Sequence, residues 1–128
     1  MKNNSMIILS ITIFLLFIAC DGSDTYRGKW KATDREGAHY EISFGENNFT
    51  VEPDSGEIKQ FSYTQNSINI ENSTKTYGIQ LDDGRNYQII FPIKNDETKG
   101  IINDGNGQLI YTISRNKFMT YEDIYKFK

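Results

Sequence analysis

From Tyr26 onward, large apolar side chains recur at alternate positions with polar or charged ones between them. Tyr26, Gly28, Trp30 and Ala32 fall on one side of an extended segment, opposite Arg27, Lys29 and Lys31. Tyr40, Ile42 and Phe44 do the same opposite His39, Glu41 and Ser43, and Phe49 and Val51 follow Gly45-Glu46-Asn47. Ile68 with Ile70, then Tyr77, Ile79 and Leu81, repeat the pattern after Gln65-Asn66 and Asn72-Ser73. The longest run is Tyr87, Ile89, Phe91 and Ile93, and the last is Leu109, Tyr111 and Ile113. Successive side chains of a strand point to opposite faces, so a period of two predicts antiparallel strands buried on one face.

Turn chemistry fills the gaps. Asp83-Gly84 between Leu81 and Tyr87 predicts a two-residue hairpin loop with both residues at positive φ, and Gly105 in Asp104-Gly105-Asn106-Gly107 is expected to serve similarly before Leu109. Asp54-Ser55-Gly56 follows Pro53. Ile58 and Phe61 have opposite parity, which places a bulge between Glu57 and Tyr63. At the C-terminus, Ile124 to Phe127, with Tyr125 and Phe127 on one face, reads as a closing strand. The competing helix would start from a Thr120–Asp123 capping box and a Met119–Ile124 staple, and is disfavoured because so short a segment makes a marginal helix. The pattern therefore predicts an all-β fold, a small antiparallel meander of eight or nine strands closed into a barrel or packed as two sheets.

The first nineteen residues follow another rule. Lys2 is their only charge, and Met6 to Ala19 is an apolar run broken only by Ser10 and Thr12. A helix of that length reaches roughly 21 Å, short of the ~30 Å hydrocarbon core of a bilayer. A positive start, a short apolar centre and a small residue at its end describe a secretory signal peptide over 1–19. Leu16-Phe17-Ile18-Ala19-Cys20 resembles the lipobox of bacterial lipoproteins. The resemblance implies cleavage between Ala19 and Cys20 and lipid, palmitate among it, on the Cys20 thiol. Cys20 is the only cysteine, so it has no disulfide partner within the chain. Asp21-Gly22-Ser23-Asp24-Thr25 is small, polar and acidic, the composition of a flexible tether, which divides the chain into a leader at 1–19, a lipidated tether at 20–25 and a β domain at 26–128. The expected location is the cell envelope, with the outer membrane or cell surface favoured over the inner membrane.

Cleavage would leave 109 of the 128 residues, a single-domain length, with 13 basic and 17 acidic side chains. That mildly acidic chain with scattered Lys and Arg lacks the basic face that nucleic acid requires. All eight Tyr, six of the eight Phe and the sole Trp lie beyond the leader, and such aromatic richness favours strands.

Gly28-Lys29-Trp30 at the start of the first strand resembles the G-x-W motif of lipocalins and related barrels. In that family the Trp seals the closed end, and an Arg from near the last strand lies over its ring. Arg115 shares the parity of Tyr111 and Ile113, so the resemblance assigns it that cation–π part. Gly28, Trp30 and Arg115, with Tyr40, Tyr87 and Tyr111 pointing inward, form the candidate set for a barrel plug or ligand site. Tyr40, Phe49, Phe61, Tyr87 and Tyr111 are bulky enough to fill so small a barrel, which favours a plugged interior over an open cavity.

Signs of catalysis are poor. His39 is the only histidine, which excludes a multi-histidine metal site, and His39, Glu41 and Ser43 on one flat strand face cannot converge on a reacting atom. Asp82-Asp83-Gly84 and Asp104-Gly105-Asn106-Gly107 lack the spacing of a calcium loop and read as turns. No pair of carboxylates stands in an apolar setting that would separate their roles in hydrolysis. No catalytic residue, metal or cofactor is therefore assigned. The expectation is a non-enzymatic, membrane-anchored envelope lipoprotein that binds a small apolar ligand, or a protein or glycan partner, through a lipocalin-like barrel. The alternative is an inhibitor or immunity factor that blocks a lysozyme or toxin at the envelope.

Overall fold

The computed structural model describes residues 23–126. The leader, the Ala19–Cys20 cleavage pair and Phe127 lie outside those residues. Within the described residues, Ser23 caps a 3-10 turn over Asp24–Tyr26, its side chain accepting from the Thr25 amide.

Eight strands follow as a simple meander: β1 (Gly28–Thr33), β2 (His39–Phe44), β3 (Asn48–Pro53), β4 (Lys59–Glu71), β5 (Thr74–Leu81), β6 (Asn86–Phe91), β7 (Lys99–Asp104) and β8 (Leu109–Ser114). Each pairs antiparallel with the next, and β8 returns to β1 through Lys31–Ser114, Ala32–Ile113 and Thr33–Thr112, closing the barrel. Closure removes raw edges around the body except along β4 past Tyr63, which β3 does not reach. The alternating residues of β1, β2, β3, β5 and β6 point inward as the pattern requires, and the core gathers Trp30, Ile42, Phe44, Phe49, Tyr63, Tyr77, Ile79, Ile89, Phe91 and Ile113.

Several local expectations are corrected. The segments around Phe61 and Ile70 are one 13-residue strand, and its bulge lies between Gln65 and Ser67, not between Glu57 and Tyr63. β6 ends at Phe91; Ile93 leaves the sheet and packs with Met119 and Ile124 outside the barrel. In β8 a second bulge at Ile110 pairs Leu109 with Asn103 and Tyr111 with Ile102, so Ile110 rather than Leu109 packs against the core. The loops after β5 and β7 have three residues rather than two. Gly84 donates to the Leu81 carbonyl while Leu81 donates to Arg85, and Gly107 donates to Asp104 while Asp104 donates to Gln108. Only the last loop residue then needs positive φ, and the residues that adopt it are Gly84 and Gly107, not Asp83 or Gly105.

The expected closing strand is a helix, α1 (Tyr121–Lys126). Thr120 and Asp123 cap it reciprocally: the Thr120 amide donates to Asp123 Oδ2 at 3.1 Å, and the Asp123 amide to Thr120 Oγ1 at 3.3 Å. Met119 and Ile124, 2% and 0% exposed, tie it to the barrel wall. Tertiary burial thus holds a helix that its length alone would not.

Candidate functional site

In an up-and-down barrel, alternate loops collect at opposite ends. The 3-10 turn, the β4–β5 turn and the end of β8 mark one end; the loops after β1, β3, β5 and β7 mark the other. The candidate residues divide accordingly. Gly28, Trp30 and Arg115 stand at the first end, and Tyr40, Tyr87 and Tyr111 at the second.

The first end is sealed. Trp30 is 1% exposed and its indole donates to the Tyr26 carbonyl at 2.8 Å. The Arg115 guanidinium lies 3.7 Å from the centre of the indole ring. It also donates to the carbonyls of Lys29 at 2.9 Å, Arg27 at 2.7 Å and Thr25 at 3.2 Å, so one cation ties the incoming chain across the end of the barrel. Desolvation pulls the Arg115 pKa below its ordinary value, the expected cost of seating a charge against an aromatic face. Gly28 has φ +93°, and a Cβ there would stand 3.2 Å from the Arg115 guanidinium, which explains why glycine precedes the tryptophan. Behind this plug the Tyr26 ring meets Phe44 and Tyr77 edge-on at 5.3 Å each. The tyrosine hydroxyls are bonded internally: Tyr26 to Gln65 at 2.8 Å, Tyr63 to the Gly45 carbonyl at 2.6 Å and Tyr77 to Thr25 at 3.0 Å. Desolvation is the leading cause that raises both the Tyr26 and Tyr63 hydroxyl pKa values.

The second end is a shallow mouth. A recess of about 170 Å³ is walled by Phe49, Val51, Phe61, Tyr87 and Tyr111, with Lys59 and Arg85 contributing charge. Tyr40 meets Tyr111 edge-on at 5.3 Å and donates to Asp34 Oδ2 at 2.9 Å. That hydrogen bond is the leading cause that raises the Tyr40 pKa. Desolvation, reinforced by Tyr40 and Tyr87, lifts Tyr111 to about 12. Arg85 bonds both Asp83 Oδ2, at 2.9 Å from Nε, and the Tyr87 hydroxyl at 3.0 Å, and its guanidinium stands 5.3 Å from the Phe61 ring centre. The sequence pattern points to Phe61 among the inward rings, but not to Arg85 or Lys59. Arg85 has the parity of Tyr87 and Ile89, so a cation on the inward register was the signal.

The interior between these ends is occupied by side chains; the recess between Phe49 and Tyr111 is smaller than the ~300–1,000 Å³ usual for small-molecule pockets, whereas two more open hollows at the same end, of about 310 and 460 Å³, meet at Tyr40. The narrow recess admits a single ring or the tip of a chain. His39 faces outward and stacks on Phe118, ring centres 3.9 Å apart. Among the described residues no group of three or more His, Cys, Asp and Glu side chains is placed to hold a metal ion, and no helix is long and apolar enough to cross a membrane. Compared with protein-family models, curated proteins and solved structures, the chain finds no match.

Proposed function

We propose that this is a lipid-anchored, non-enzymatic envelope protein that recognises a protein or glycan partner through the mouth of its barrel. The polarity of the body carries the reading. The chain enters at Ser23 beside the sealed end, three residues after Cys20, whereas the aromatic and cationic recess lies at the opposite end. A lipid on Cys20 would therefore turn the seal toward the membrane and the recess away from it. The lipocalin-like assignment belongs to the same proposal, supported by the closed antiparallel meander, the Gly28-Lys29-Trp30 turn into β1 and the Arg115–Trp30 stack.

The small recess favours a partner that inserts one side chain or sugar ring over a fully enclosed apolar cargo. It favours equally a second reading, in which the inserted group belongs to a lysozyme or toxin that the protein blocks. Cys20→Ser should abolish metabolic labelling by palmitate and leave the precursor uncleaved; unchanged labelling would remove the anchor. A photo-crosslinking residue at Tyr87 should capture a macromolecule in cells of the source organism. Native mass spectrometry that instead finds a co-purified lipid in the purified domain would overturn partner recognition in favour of cargo binding.

A further inference from the structure

The hairpin formed by β4 and β5 runs past the end of β3, while β5 keeps β6 as its other neighbour as far as Lys75–Phe91. β3 accompanies β4 only over Lys59–Ser62, so beyond the bulge β4 has β5 alone for a neighbour. In that overhang Ile68 stands opposite Tyr77 and Ile70 opposite Lys75. They share the sheet face that lower down lines the barrel interior, yet they are 55% and 62% exposed. Two isoleucines on one face, two positions apart, are left without a covering element.

Their position says what covers them. The Ser23 amide and the Tyr26 hydroxyl both donate to Gln65 Oε1, at 2.9 and 2.8 Å, so the chain enters the fold at the root of the overhang. Cys20 is three residues upstream and, at about 3.3–3.6 Å per residue, lies within roughly 11 Å of Ser23. Glu71, at the tip, is six residues beyond Gln65; with one residue taken up by the bulge, the overhang extends about 17 Å along its strand. The hairpin is thus longer than the tether beside it.

We propose that the β4–β5 hairpin rests Ile68 and Ile70 in the interface of the bilayer to which Cys20 is attached. The inference rests on the lipid anchor proposed above. A lipid on a short tether fixes distance but not tilt; a second, apolar contact at the same end holds the barrel upright with its mouth facing away. Interfacial apolar faces sit ~5–10 Å into the boundary between headgroups and acyl chains, within reach of both isoleucines.

The test uses the full-length, processed protein reconstituted into phosphatidylcholine vesicles whose acyl chains carry bromine, a contact quencher of indole fluorescence. The emission that Ile70→Trp, at an exposed site, adds over the wild type should fall several-fold relative to unbrominated vesicles, while the wild type, whose sole Trp30 is buried, should stay unchanged. Intact mass reports lipid on Cys20 in the same sample. Acylated protein whose Ile70→Trp emission is unaffected would overturn the hairpin contact and leave the anchor standing. Acylated protein that buries both isoleucines in a dimer of this chain would do the same. Protein without lipid on Cys20 would overturn the anchor and the contact with it.

Discussion

The two ends of the barrel are built from the same residue types and put them to opposite uses. At the sealed end Tyr26, Tyr63 and Tyr77 hydrogen-bond within the chain, and Arg115 satisfies three carbonyls while covering an indole. At the mouth Tyr40, Tyr87 and Tyr111 are only partly buried, and Arg85 folds back on a turn carboxylate and a tyrosine hydroxyl at the rim. Aromatic content therefore does not by itself mark a binding site. What separates the ends is where the polar atoms are spent: on partners inside the fold at one end, on the exposed rim at the other.

The largest effect should come from emptying the seal. Trp30→Ala removes the biggest fully buried side chain and should cost about 3–5 kcal/mol in denaturant unfolding, whereas Tyr87→Ala at the mouth, partly solvated already, should cost clearly less. Equal losses would erase the distinction between a structural and a free end. Next, the two arginines should part company. Arg115→Met leaves carbonyls of the entering chain without their donor and should cost ~2–3 kcal/mol. Arg85→Met breaks an exposed ion pair with Asp83 and should change stability by no more than ~1 kcal/mol, while weakening capture of a partner.

The same contrast explains what the sequence made legible. Alternation exposed every strand with one wet face, and Gly28-Lys29-Trp30 with Arg115 pointed to a seal whose geometry is present. β7 escaped because both its faces are covered: Ile102 points into the barrel and Ile101, 4% exposed, faces outward on the strand that α1 packs against, so no polar beat marks the strand. Leu109 and Ile110 were exchanged because a bulge is a register event set by the partner strand, invisible in one strand's own parity. Ile68 and Ile70 carried a correct strand pattern and still gave the wrong burial, since face does not tell how far a strand outruns its neighbour. The terminal helix was written in Thr120 and Asp123, and its stability in contacts with Ile93 that only the fold supplies. At the mouth, the parity of Arg85 was readable, whereas the size of the recess depended on how Phe49, Phe61 and Tyr111 meet.

The smallest predicted effect distinguishes burial at the mouth from exposure there. Tyr111 keeps its proton to about pH 12 in the folded protein because its site is desolvated, whereas in the unfolded chain it ionises near 10. Up to that unfolded value both states hold the proton and the group makes no pH-dependent contribution. As the pH climbs from about 10 toward 12 the unfolded chain releases its proton first, so folded stability falls with rising pH in that window. Tyr111→Phe should leave the melting temperature at neutral pH nearly unchanged and make the alkaline decline shallower between pH 10 and 12. Tyr40, whose raised pKa comes chiefly from its bond to Asp34 at the surface, should contribute less when replaced by Phe. An alkaline profile that Tyr111→Phe does not alter would mean that water reaches its hydroxyl freely, and that the recess is wider and wetter than its 170 Å³ implies.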